Sequence, residues 1–171
     1  MQTKRVVVLP YDFAWKSDFE RIKAEIEAAV GEWILGVEHV GSTSVEGLCA
    51  KPCIDLDVVI EDYGTFDAVA KGLATIGYIH EGDLGIGERE AFCYEGKSHL
   101  QTHHLYVCPR TSPELHRHTA FRDFLRSNPR AVREYGEVKM RAAALYPNDI
   151  DGYMRYKSAC IQRLYEECGL E

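Results

Sequence analysis

Between Phe13 and Val30 apolar residues return every three or four positions. Phe19, Ile22, Ile26 and Val30 stand among charges, and Gly31 follows them. That spacing predicts a helix with one face in a core, stopped by the glycine. The run from Trp33 to Val40 predicts a strand leading into Gly41-Ser42. Thr43 and Glu46 then have the spacing of a capping box for a short helix that Gly47 limits. After Pro52, Ile54 to Ile60 predicts a second strand, and Thr65 to Ile76 a helix ended by Gly77. EAFCYEG and LQTHHLYVC read as two more strands, joined by a turn around Gly96 to Ser98. From there the pattern is helical. Ser112-Pro113 and Asn128-Pro129 each set an N-cap before a proline at the first helical position, and Pro147 precedes a last helix from about Ile150 to Cys168. The expected fold class is α+β, a small mixed sheet with flanking helices and a C-terminal group of three helices. One domain is expected over the 171 residues.

The strand at Ile54 raises a chemical question. Ile54, Leu56, Val58 and Ile60 fall on one face, whereas Asp55, Asp57 and Val59 fall on the other. Two carboxylates side by side repel each other unless a cation sits between them. Mg²⁺ or Mn²⁺ suits them, because Mg²⁺ is commonly held by one or two carboxylates plus substrate phosphates. The solvated face of an edge strand would read the same way. Gly41 and Ser42 add a second hint. Glycine lets a backbone approach a ligand closely, and a helix starting there would offer free N–H groups to a phosphate, with the Ser42 and Ser44 hydroxyls beside them. A plain turn with a helix cap is the alternative.

Composition narrows the setting. The formal net charge of -7 argues against nonspecific nucleic-acid binding. The N-terminal MQTKRVVVLP has the Lys4-Arg5 charge of a signal peptide, but its apolar run breaks at Pro10. No other run is long enough to span a bilayer. Six cysteines without a C-x-x-C pair read mostly as buried thiols in a reducing compartment, not as disulfides or a zinc site. The expected location is cytoplasmic.

Taken together, strand, Gly-Ser, short helix and an Asp-x-Asp strand resemble the nucleotidyltransferase superfamily. The chain is similar, more specifically, to the GrpB family within it. Glu38-His39, Gly41 to Thr43, Val45, Gly47-Leu48, Lys51-Pro52 and Ile54-Asp55 fill that family's core pattern. Tyr11-Asp12 and Trp15, Arg117-His118, Phe121-Arg122-Asp123, Tyr135, Lys139, Tyr153 and Lys157 extend the match. The resemblance implies that Asp55 and Asp57 bind Mg²⁺ and that Gly41 and Ser42 hold nucleotide phosphates. Lys51 would neutralise phosphate or an aspartate, His39 would order the Gly-Ser loop, and Arg122 is a further candidate.

The resemblance departs at one point. Active members of the superfamily use a third carboxylate from a later strand, and THHLYVC contains none. By alternation His104 shares a face with Tyr106, which stands where the family pattern has a histidine. His104 is the candidate base, and Glu90 or Glu95 a substitute acid. In the helices, Arg117, Lys139 and Lys157 fall on stripes with apolar neighbours. Inward cations need an anion, so the three suggest a phosphate pocket, with snorkelling as the plainer alternative. His116 and His118, two apart on a helix, do not share a face and are set aside as a metal pair. The implied function is Mg²⁺-dependent nucleotide binding, with transfer of a nucleoside monophosphate from a triphosphate to a small acceptor. A non-catalytic module that binds a nucleotide or a coenzyme A precursor is the alternative.

Overall fold

The computed structural model describes residues 5–170; Met1 to Lys4, and with them half of the Lys4-Arg5 pair, lie outside the described residues. Helix α1 (Ala14–Val30) buries Trp15, Phe19, Ile22, Ile26 and Val30, the stripe its periodicity marks. A single 3₁₀ turn, Gly31–Trp33, occupies the start of the expected first strand, so β1 is only Gly36–Val40. Strand β2 is Ile54–Ile60, helix α2 is Phe66–Thr75, and strands β4 and β5 are Glu90–Tyr94 and His103–Pro109. Between α2 and β4 runs β3 (Tyr78–Gly82), a strand that the sequence pattern did not reveal. It is an edge strand with one buried residue, Tyr78, so it lacks an alternating pattern.

The sheet is mixed, in the order β1-β2-β5-β4-β3, with β2 and β5 parallel and every other pair antiparallel. On one face, Ile54, Leu56, Val58 and Ile60 join Leu105 and Val107 against α1 and α2 in the main core. The opposite face carries Asp55 and Asp57 and is met by α3 (Pro113–Arg126), which packs on β1 and β5, while α4 (Pro129–Leu145) and α5 (Ile150–Cys168) complete the C-terminal group. Their own core is Leu125, Ala131, Tyr135, Cys160 and Leu164, joined by Val45 and Leu48 from the segment between β1 and β2. Ser112 and Asn128 cap α3 and α4 through their side chains, each followed by proline. Asp149 caps α5 in the same way, accepting from the Gly152 N–H. No described helix is long and apolar enough to cross a membrane.

The region after Gly41 differs from the capping-box expectation. Ser42–Ser44 forms one 3₁₀ turn, and no side chain caps it. Thr43 Oγ1 instead bonds His39 Nε2 at 2.9 Å, and Glu46 pairs at the surface with Lys16. So short a turn supplies no helix N-terminus for a phosphate.

Candidate functional site

The parallel register of β2 and β5 sets Asp55 opposite His104 and Asp57 opposite Tyr106, and directly opposed residues share a face. Asp55 Oδ1 and His104 Nδ1 lie 3.0 Å apart, and Cys53 Sγ lies 3.7 Å from the same nitrogen. The Asp55 bond, aided by Cys53, pushes the imidazole up to about 10. That shift favours the protonated ring, which counts against the expected role of His104 as base. Neither Glu90 nor Glu95 replaces the missing acid. Glu90 opposes Val107, a core-face residue, and pairs with His80, whereas Glu95 is exposed beyond the end of β4.

Asp57 has a different partner. It is 0 % exposed, and its Oδ2 meets His118 Nδ1 of α3 at 2.6 Å. Burial pushes the carboxyl up against the lowering pull of His118. Burial also opposes charge on His118, but the bond to Asp57 outweighs it and raises that imidazole. Two unpaired, repelling carboxylates are thus not what β2 presents. Each acid has its own histidine. His116 and His118 indeed do not act together, yet His118 alone was the informative residue. Its position in the Arg117-His118 motif was the available signal.

The Gly-Ser turn is held from three sides. Gly41 has φ 74°, and any side chain there would collide with the Asp55 carboxylate, so glycine is required. Ser44 Oγ donates to the Gly41 carbonyl, which removes that hydroxyl from the list of phosphate donors. The Ser44 carbonyl accepts from Arg126 Nε and Nη2 at 3.0 and 2.8 Å. Buried His39 stacks on Phe19 and bonds Thr43, so it does brace this loop; burial, then Arg126, pulls it down to about 4. Arg122 bridges Glu38 and the His39 carbonyl at 2.6 and 3.0 Å, tying α3 to β1.

Beside this turn lies a cleft of about 260 Å³ lined by Ser42, Lys51, Cys53, Asp55, His104, Lys139 and Lys157, among others. Lys139, buried, donates to Ser42 Oγ at 2.6 Å and to the Cys49 carbonyl at 2.8 Å. Burial, then neighbouring Lys157, pulls its amine down to about 7. Lys157 stands over the Tyr153 ring and is lowered to about 8 by burial and then Lys51. Both lysines enter the cleft as the helical stripes predict. Arg117 does not; it is exposed, pairs with Glu114 and lines a separate cavity of about 160 Å³ with His118 and Phe121. Tyr106 faces the acids with Arg89 stacked on its ring at 4.2 Å.

A magnesium site made of two free carboxylates does not fit this arrangement. Asp57 Oδ2 is committed to His118, while its Oδ1 is buried without a hydrogen-bond partner among the described residues. Asp55 is the acid that reaches the cleft. The donors fit Mg²⁺ held by one protein carboxylate, with substrate phosphates completing its shell.

The family model described as "GrpB protein" matches residues 5–167. This chain belongs to the GrpB family. The crystal structure of conserved protein GrpB from Enterococcus faecalis superposes with a TM-score of 0.82 at 36 % identity, covering 95 % of this chain and 96 % of that one. YqkA, a UPF0157 protein of Bacillus subtilis, is 29 % identical over 163 residues, 95 % of this chain. The match spans only 47 % of YqkA, so the GrpB region is about half of that relative. Beyond GrpB, the Cid1 poly(U) polymerase solved with MgATP has a TM-score of 0.52 at 10 % identity, over 77 % of this chain and 45 % of Cid1. At that identity the likeness is one of fold. The GrpB chain has a nucleotidyltransferase-like fold.

Proposed function

We propose that this GrpB chain binds the phosphates of a nucleoside triphosphate in the cleft between sheet and C-terminal helices, with Mg²⁺ bridging the phosphates to Asp55. The carrying observation is the convergence of Lys51, Lys139, Lys157 and the Ser42 hydroxyl around one acid near the start of an inner strand of a nucleotidyltransferase-like sheet. Two lysines whose charged forms are disfavoured by burial gain most from an anion beside them. A cleft of about 260 Å³ is smaller than the roughly 300–1,000 Å³ that enclose a drug-sized ligand. It accommodates a polyphosphate and leaves the base outside, so discrimination between bases should be slight.

Thermal melts test this reading. At a hundred times the dissociation constant, a ligand of the native state adds about 2.7 kcal/mol, or roughly 5–11 °C for a domain of this size. The shift should need Mg²⁺ and nucleotide together, and disappear in Asp55→Asn. It should shrink in Lys157→Ala, whose amine has no hydrogen-bond partner among the described residues. Absence of a metal-dependent shift with every nucleoside triphosphate would refute the proposal. Transfer to a small hydroxyl- or amine-bearing acceptor is a second reading, favoured by Asp-x-Asp on the same fold as a polymerase solved with MgATP. Labelled-nucleotide turnover that Asp55→Asn abolishes would support transfer; binding without turnover would favour a sensing module.

A further inference from the structure

We infer that Cys53, Asp55 and His104 form a binding site for Zn²⁺ or a similar thiophilic divalent ion. Their Sγ, carboxylate oxygen and imidazole nitrogen all lie within 4.8 Å of one another. Two of the donors come from adjacent strands and the third from the residue just before one of them. Cys53 and Asp55 flank the start of β2, and His104 sits beside Asp55 in the parallel register of β5. The backbone hydrogen bonds of the sheet thus fix the spacing before any ion arrives.

The distances favour a tetrahedral ion. Zn²⁺ takes sulfur at about 2.3 Å, nitrogen at about 2.0–2.1 Å and carboxylate oxygen at about 2.0–2.2 Å. At tetrahedral angles those lengths put nitrogen and oxygen roughly 3.4 Å apart, and sulfur and nitrogen roughly 3.6 Å apart. Here Nδ1 is 3.0 Å from Asp55 Oδ1 and 3.7 Å from Cys53 Sγ. Adjustments of a few tenths of an ångström would seat the ion. The set is also selective, since thiolate and imidazole suit Zn²⁺, whereas Mg²⁺ prefers oxygen throughout.

Binding exchanges protons for the metal. The Cys53 thiol and the His104 imidazolium each release a proton to solvent, Nδ1 of His104 then turns its lone pair to the ion, and the remaining ring proton sits on Nε2. One thiolate and one carboxylate then balance the two positive charges, and a fourth position stays open. It opens into the cleft that Lys51, Lys139 and Lys157 line, so it would accept water or an anionic oxygen. The site shares Asp55 with the phosphate cleft, but Cys53 and His104 are donors that the Mg²⁺ reading does not use. Its failure would leave the Mg²⁺–nucleotide melts unaffected.

Cobalt(II) is the probe, because a thiolate bound to it gives a near-ultraviolet charge-transfer band and tetrahedral Co²⁺ gives intense visible bands. Chelator-treated full-length protein, kept reduced, should take up one equivalent of Co²⁺ with both features, and Zn²⁺ should displace it while excess Mg²⁺ does not. Cys53→Ser should lose the charge-transfer band whether or not serine keeps a weak hold. His104→Ala should lose the tetrahedral bands. Cys93→Ser and Cys168→Ser, the other two half-buried thiols, should keep everything. Circular dichroism melts of each apo variant would confirm the fold. A wild-type protein without the band, a band that survives Cys53→Ser, or displacement by Mg²⁺ would overturn the inference.

Discussion

Lys139 shows how far one buried residue can link the fold to solution conditions. In the unfolded chain its amine stays charged to about 10.5, whereas in the fold it does so only to about 7. Below pH 7 both states hold the proton and the fold bears a buried charge. Between those values the unfolded chain holds the extra proton, so this contribution to stability rises with pH across the window. Urea midpoints of wild type should therefore climb relative to Lys139→Met as pH is raised from about 6 to about 10. An anion in the cleft would restore the charge on Lys139 and Lys157. Calorimetric binding at about pH 8, run in two buffers of different ionisation enthalpy, should then register proton uptake. Asp57 argues in the opposite sense from its sequence reading. As one of two repelling acids, its neutralisation would stabilise the protein. Bonded to His118 and fully buried, it should instead destabilise as Asp57→Asn, by about 1.5–3 kcal/mol, the range for a hydrogen bond to a charged group. A double-mutant cycle with His118→Gln should assign most of that loss to the pair.

Among the elements, α3 acts as a clamp on the Gly-Ser turn and the sheet. Arg122, Arg126 and His118 reach β1, the turn and β2 respectively. Removing Arg126 leaves the Ser44 carbonyl without its two donors. Arg126→Ala should cost about 0.5–1.5 kcal/mol and speed hydrogen exchange at the Ser44 and Val45 amides, while α1 keeps its protection. Those amides donate back to Gly41 and Ser42, so they report directly on the turn. Most elements were legible in the sequence because periodicity and caps are local. Alternation separated the core side of β2 from its acidic side, and both proline-followed caps stand where expected. Strand β3 was not legible, because one buried residue makes no pattern. The capping box misled because Thr43 found a better partner in His39, a contact between two elements.

For the whole molecule, the same distinction separates the residues that sequence could place from those it could not. Asp55, His104, Lys139 and Lys157 each signalled an unusual position along its own element. The missed partners, His118 for Asp57, Arg126 for Ser44 and Cys53 for His104, follow only once the sheet order and α3 are known. The cysteines illustrate it best. Cys49, Cys108 and Cys160 are buried as expected, but half-buried Cys53 lines the cleft. Its chemistry depends on a neighbour fifty-one positions away.

That parallel pairing of β2 with β5 also governs when the cleft can exist. During synthesis α1, β1 and β2 emerge first, and Asp55 waits without His104 until β5 follows. Asp57 waits longer, for the first turns of α3, and the Gly-Ser turn acquires Arg126 later still. Lys139 and Lys157 leave the ribosome last of all. Contacts so distant in the chain form late, because the entropy of closing the intervening loops is lost before they can compensate it. A nascent chain therefore displays an acidic strand with only Lys51 beside it, and the cationic character of the cleft is complete only when the final helix docks.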